Sequence, residues 1–229
     1  MKKVLVVGAH PDDEIIGLGG TLRKHVLNGD EVYAHILTDG HSSRSGYELS
    51  SDVKNTMARR NEAAEKSAEI IGFKDLFLEP LPDQALDTLP MVELVKTIEK
   101  VANHIKPDVV FMHHRGDANM DHQMIYKAGI TAFRSVGSSF APEVYCYETL
   151  SSTEWGAPFP DSYFMPNYFV DISETLEAKL NAMRCYADEL RDYPHPRSIK
   201  GMEEAALRWG KVVNCRAAEA FVTVRKFWK

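Results

Sequence analysis

The sequence predicts an α/β protein with a mostly parallel sheet and helices on both faces. Three observations predict it. Short valine-rich runs recur, as at Val4-Leu5-Val6-Val7 and Val109-Val110-Phe111-Met112, and read as strands buried on both sides. Segments with apolar residues at helical spacing follow them, so strand and helix alternate. Polar clusters sit where two of the runs end, at 9–14 and at 113–122. In open α/β sheets, ligands bind at the carboxyl ends of strands.

Element by element, Lys3 to Gly8 reads as a first, central strand. Ile15 to Leu27 reads as a helix stopped by Asn28-Gly29. Glu31 to Thr38 closes a β-α-β unit, for which a right-handed crossover is expected. Asp39 to Ser51 is a polar candidate substrate loop with His41 and Arg44. Asp52 to Ile71 is a long amphipathic helix. Leu76 to Leu78 is a short strand, and Pro80 to Pro90 a loop with Asp83 and Asp87. Met91 to Ile105 is helical, Asp108 to Met112 a fourth strand, and Gln123 to about Phe133 a helix. Glu143 to Glu148 is a fifth strand. Ser151 to Pro166, rich in Pro, Gly and aromatics, reads either as a mobile cover or interface loop or as a packed irregular connection. Asn167 to Ile172 is a sixth strand. Glu174 to Leu190 is a helix with Ser173 as cap. Tyr193 to Ser198 is a rigid turn carrying His195 and Arg197. Ile199 to about Val213 is the last helix, and Ala218 to Phe227 a strand or extended tail. The order describes one Rossmann-like domain over residues 1–229, without repeats or a linker.

The chain has 229 residues, 44% hydrophobic and 26% charged, enough for a sizeable core. Lys and Arg number 27 against 33 Asp and Glu, for a net charge of −6. No basic stripe is present, so nucleic acid is not expected as a partner. No apolar run approaches the ~20 residues of a membrane helix. Met1-Lys2-Lys3 leads into no signal-peptide pattern, and three scattered cysteines suggest no disulfide framework. The expectation is a cytoplasmic protein.

Chemistry concentrates in Ala9-His10-Pro11-Asp12-Asp13-Glu14. An imidazole and a carboxylate three residues apart can share one side of a turn entering a helix, and both are ordinary zinc ligands. Neighbouring carboxylates in a turn diverge, so one can bind a metal while the other takes a proton from water. The competing reading is that Asp12 or Asp13 caps the helix and Glu14 favours its dipole; it leaves His10 unexplained. Gly17, Gly19 and Gly20 suggest a phosphate loop, but acidic residues precede them and no G-x-G-x-x-G follows the strand, so helix packing is preferred. The second cluster, His113 to His122, lies at another strand end of the same sheet edge. Asp13 and His122 can therefore converge, and with His10 they make a two-His, one-carboxylate set with an open position. His113 and His114 alternate along the strand and read as supporting or core histidines. Arg59 and Arg60 read first as solvent-facing helix charges, with substrate contact as the alternative.

With both clusters in view, the sequence resembles the LmbE-like (PIG-L) family of zinc-dependent N-deacetylases. The likeness rests on A-H-P-D-D-E at 9–14, on Gly116 to His122 ending in Asp121-His122, on the R-R-x-E-A-A helix and on the closing Ala218 to Phe221. It implies that His10, Asp13 and His122 hold Zn²⁺, with Fe²⁺ or another divalent ion as an alternative. It implies Asp12 as general base, Asp121 as a supporting acid and Arg59 as a substrate contact. Many members carry a histidine three residues before the last ligand, where this chain has Asn119. An amide can still donate to an oxyanion; otherwise His195 or His114 substitutes. The expected substrate is a small N-acetylated sugar, bound also by His195 and Arg197; members of the family often self-associate, so a homo-oligomer is one option beside a monomer. The alternatives are a metal-holding sugar-binding module and a zinc hydrolase of another amide.

Overall fold

The computed structural model describes residues 1–45, 51–136 and 140–228. Its frame is a seven-stranded sheet in the order β3-β2-β1-β4-β5-β7-β6. The strands are β1 (Lys3–Gly8), β2 (Glu31–Thr38), β3 (Asp75–Leu81), β4 (Val109–His113), β5 (Glu143–Tyr147), β6 (Tyr168–Asp171) and β7 (Ala218–Lys226). β1 pairs in parallel with β2 and β4, and the parallel set continues to β3 and β5. β7 runs antiparallel between β5 and β6. The closing segment is thus a strand inside the sheet, not a tail.

Side chains of a strand point alternately to its two faces. Val4 and Val6 accordingly enter one core with α1 (Asp13–Leu27), α5 (Leu176–Arg184) and α6 (Ile199–Val212), while Leu5 and Val7 enter the other with α3 (Met91–Ile105) and α4 (Met120–Ala132). The longest helix, α2 (Ser51–Ile71), packs on the first of these faces through Ala64 and Ile71. Two opposed apolar faces explain why β1 and β4 read as unbroken hydrophobic runs.

The glycines of α1 serve packing. A Cβ at Gly17 would lie 2.3 Å from the Tyr147 ring, and one at Gly20 2.8 Å from Ile172. The helix kinks between them, at Leu18, where φ is −151°. Glu219 of β7 accepts the Gly20 and Thr21 amides below the kink, at 3.1 and 2.7 Å. It pairs there with buried Lys179 at 2.6 Å.

Two expected helices differ. α4 starts at Met120 rather than Gln123, because the Asn119 side chain caps it by accepting the Asp121 amide at 2.9 Å. The helix expected over Glu174 to Leu190 spans only Leu176–Arg184. Beyond it, Glu189 turns back to meet arginines from other segments. Ser173 does not cap it; its hydroxyl donates to Asp171 at 2.5 Å. Of the candidate substrate loop Asp39 to Ser51, residues 46–50 lie outside the described residues.

Candidate active site

The cleft opens where β1, β2 and β4 end, at the edge the strand-end argument selects. β1 delivers His10 and the start of α1 delivers Asp12 and Asp13, while the N-terminal turn of α4 delivers His122. His10 Nδ1, Asp13 Oδ2 and His122 Nε2 form a triangle. Its sides are 3.2 Å from His10 to Asp13, 3.3 Å from His10 to His122 and 3.4 Å from His122 to Asp13. Bonds of about 2.0–2.1 Å at tetrahedral angles put neighbouring donors about 3.3–3.4 Å apart. The donors therefore fit a single divalent ion, and all three residues line the cleft.

Each donor is oriented from behind. His10 Nε2 lies 3.1 Å from Asp121 Oδ2 and 3.2 Å from Asp83 Oδ1. Asp121 is fixed in turn by the Gln84 and Leu86 amides, at 2.7 and 3.0 Å. His122 Nδ1 lies 3.1 Å from Asp117 Oδ1, an ion-pair contact without hydrogen-bond geometry, and Asp117 also accepts the hydroxyls of Ser152 and Thr153. Asp13 Oδ2 accepts the His10 amide at 2.8 Å. Carboxylates behind ligating imidazoles fix the tautomer and raise ligand basicity.

Electrostatics agree. Burial opposes charging of both imidazoles, yet Asp121 and Asp13 raise His10 to about 10, and Asp13 and Asp117 raise His122 to about 9. Burial works against ionised Asp13 too, but His122, His113 and His10 hold it well below the usual carboxylate range. The cradle is built to receive positive charge. His113 stands apart: burial and the neighbouring His122 lower it to about 4. It stacks on His122 at 3.8 Å and accepts the Ala9 amide at 3.0 Å, so it packs and braces.

Asp12 differs from its neighbour. It precedes the first turn of α1, yet its side chain makes no capping bond. Its φ is +123°, a region non-glycine residues rarely enter. Its buried Oδ2 has no hydrogen-bond partner. Arg197 Nη1 lies 3.9 Å away. Burial, then the Asp13 charge, pushes Asp12 up to about 7, against the pull of Arg60 and Arg197.

The other expected residues separate. Asn119 and Arg197 line the cleft. Asn119 Oδ1 is taken by the cap, accepting the Asp121 amide. Asp121 lies behind His10, fully buried. His195 is not among the lining residues; its Nδ1 accepts the Arg197 amide at 3.1 Å and its ring meets the edge of Trp155. His114 bonds the Ser162 carbonyl at 2.8 Å, away from the cleft. Arg59 points outward, with a side chain 60% exposed and 3.6 Å from Asp188. Successive helical residues diverge by about 100°, and it is Arg60 that reaches the cleft. Arg60 is buried, donates to the Gly40 and Pro11 carbonyls, and lies 3.1 Å from Glu189. Glu189 also holds Arg44 bidentately at 3.0 and 3.0 Å. Ser151 and Ser152 line the cleft as well, so the start of the 151–166 segment is packed and held on Asp117, while Trp155, Phe159 and Tyr163 beyond it are exposed.

The sequence reading missed Asp83, Gln84, Asp117 and Glu189. Asp83 and Gln84 follow β3, a fourth strand ending on the same edge, and that was a usable signal. Asp117 lay inside the quoted second cluster. Glu189 gave none, because its segment has helical periodicity.

A buried carboxylate with a partnerless oxygen beside three convergent donors suits a hydrolase that works with a metal ion. Residues 5–133 match the family described as PIG-L, GlcNAc-PI de-N-acetylase. The chain is 30% identical over 228 residues to a diacetylchitobiose deacetylase of Thermococcus kodakarensis, covering 96% of this chain and 82% of that protein. The structure of the Pyrococcus horikoshii N,N′-diacetylchitobiose deacetylase superposes with a TM-score of 0.78 at 24% identity, over 97% of this chain and 84% of that one. The same fold carries other chemistry. The 4-carboxy-2-hydroxymuconate hydratase GalB of Pseudomonas putida superposes at 0.73 with 20% identity, over 100% of this chain and 98% of that one. The protein is a hydrolytic N-deacetylase. It belongs to the PIG-L family.

Proposed function

We propose that the protein removes the N-acetyl group from an amino sugar or a GlcNAc-containing conjugate, giving acetate and a free amine. The observation that carries this is the donor triangle with Asp12 free beside it. The kinship to a diacetylchitobiose deacetylase supports the substrate class.

His10, Asp13 and His122 would hold Zn²⁺; two imidazoles and a carboxylate also suit Fe²⁺. When bound, the ion supplies Lewis acidity, acidifying a water and polarising the acetamide carbonyl. Asp12 takes the proton of the attacking water and passes it to the leaving amine, a task suited to a carboxylate near neutrality. Asn119 Nδ2 donates to the developing oxyanion. Arg197 contacts the sugar portion from the cleft wall, and His195 orders the Arg197 turn from the rim. Asp121 keeps His10 Nε2 protonated so that Nδ1 faces the ion.

Acetate release from a panel of N-acetylated sugars, with and without chelator, tests the reading. Turnover that chelator abolishes and Zn²⁺ restores is expected. Asp12→Ala should retain metal and lose turnover; His10→Ala should lose both. A protein that binds these sugars without releasing acetate is a recognition module, and equal metal loss in the two variants removes the division of labour.

A further inference from the structure

The backbone at Asp12 needs an explanation of its own. A residue stays at such a φ only where its surroundings over-determine it. The Asp12 carbonyl accepts the Ile15 and Ile16 amides at 3.0 and 2.9 Å, opening α1. Its own N–H lies 3.1 Å from Glu14 Oε2. Glu14 is 1% exposed, and its other oxygen accepts the Tyr186 hydroxyl at 2.7 Å. Tyr186 is itself buried, in the turn after α5. Neither Glu14 nor Tyr186 lines the cleft.

We infer that Glu14, locked by Tyr186, is a positioning residue: it holds the Asp12 peptide in the conformation that aims the Asp12 carboxylate at the reacting water. This rests on Asp12 being the base. Removing the acceptor leaves a buried N–H without a partner, which the peptide relieves by rotating. Rotation moves the Asp12 carboxylate, and a displacement near 1 Å can cost about 100-fold in rate. Asp13 has a separate anchor, the His10 amide at 2.8 Å. The cradle therefore survives while the base drifts, and metal binding and turnover come apart.

The test compares Glu14→Ala, Glu14→Gln, Tyr186→Phe and Asp12→Ala, with N,N′-diacetylchitobiose and N-acetylglucosamine as probes and metal content measured in parallel. Glu14→Ala should lower kcat about 10- to 100-fold, keep KM within about twofold and bind one metal per chain. Glutamine can accept the Asp12 N–H through its carbonyl and donate its amide to the Tyr186 oxygen. Glu14→Gln should therefore recover at least about tenfold over Glu14→Ala, and Tyr186→Phe should fall between. Wild-type kcat in Glu14→Ala, metal loss in step with turnover, or Glu14→Gln as defective as Glu14→Ala overturns the inference. If Glu14→Ala does not fold, Tyr186→Phe decides: reduced kcat with full metal supports it, and wild-type kcat overturns it. An active Asp12→Ala would overturn the base assignment itself, whereas an inactive Asp12→Ala beside a wild-type Glu14→Ala overturns the positioning role alone.

Discussion

Asp121→Asn should weaken metal binding while leaving the fold intact. One Asp121 oxygen accepts the Gln84 amide and faces His10 Nε2; the other accepts the Leu86 amide. All of these neighbours are donors when His10 presents Nδ1 to the ion. An asparagine has one acceptor oxygen, so its NH₂ must face a donor in either orientation. With the residue fully buried, no water relieves the mismatch. A buried polar group left without its partner costs about 1–3 kcal/mol. If the NH₂ turns toward His10, only Asp83 Oδ1, 3.2 Å from Nε2, still favours the tautomer that leaves Nδ1 free, and the cost falls on the metal-bound state. Every 1.4 kcal/mol is tenfold, so Zn²⁺ affinity should drop about 5- to 150-fold. Competition against a chromogenic chelator measures this directly, with circular dichroism as the check on folding. Wild-type affinity in a folded variant would refute the claim that Asp121 sets the His10 tautomer.

Three further outcomes follow from the same geometry. Arg60→Ala removes a buried guanidinium serving two carbonyls and Glu189 and should cost about 3–5 kcal/mol, whereas exposed Arg59→Ala should stay within about 0.5 kcal/mol; denaturant unfolding compares them. Gly17→Ala drives a methyl into the Tyr147 ring and should cost about 1–3 kcal/mol, read in the same way. Burial opposes the Glu189 charge, but Arg44 and Arg60 hold its carboxyl below the usual value. Its stabilisation is thus complete above about pH 4.5 and fades as pH falls from there through the lowered pKa. Melting temperature against pH should show a shallower acid decline in Glu189→Gln than in the native protein, and parallel curves would contradict this.

The parallel core was legible because burial on both faces leaves an unbroken apolar run, as in β1 and β4. The convergence of His10, Asp13 and His122 was legible because both clusters terminate such runs. Orientation was the part that sequence hides. Arg59 and Arg60 look interchangeable as letters, and only the rotation of α2 tells that Arg60 faces inward. The helix expected through Leu190 failed for a related reason. Local periodicity continues there, but the helix ends at Arg184 and Glu189 pairs instead with Arg44, Arg60 and Arg197. Asn119 was identified for its place before the last ligand, and its capping of α4 had no local signature strong enough to move the helix start.

Ser152 and Thr153 both hang their hydroxyls on Asp117, the carboxylate behind His122. The rim of the cleft is thereby moored to the candidate metal donors. A lineage adapting this scaffold to a new acetylated compound has latitude at outward positions such as Trp155 and Phe159, which are exposed. It has little at the two moorings, where any exchange made for selectivity would also be felt as a change in how tightly the ion is kept.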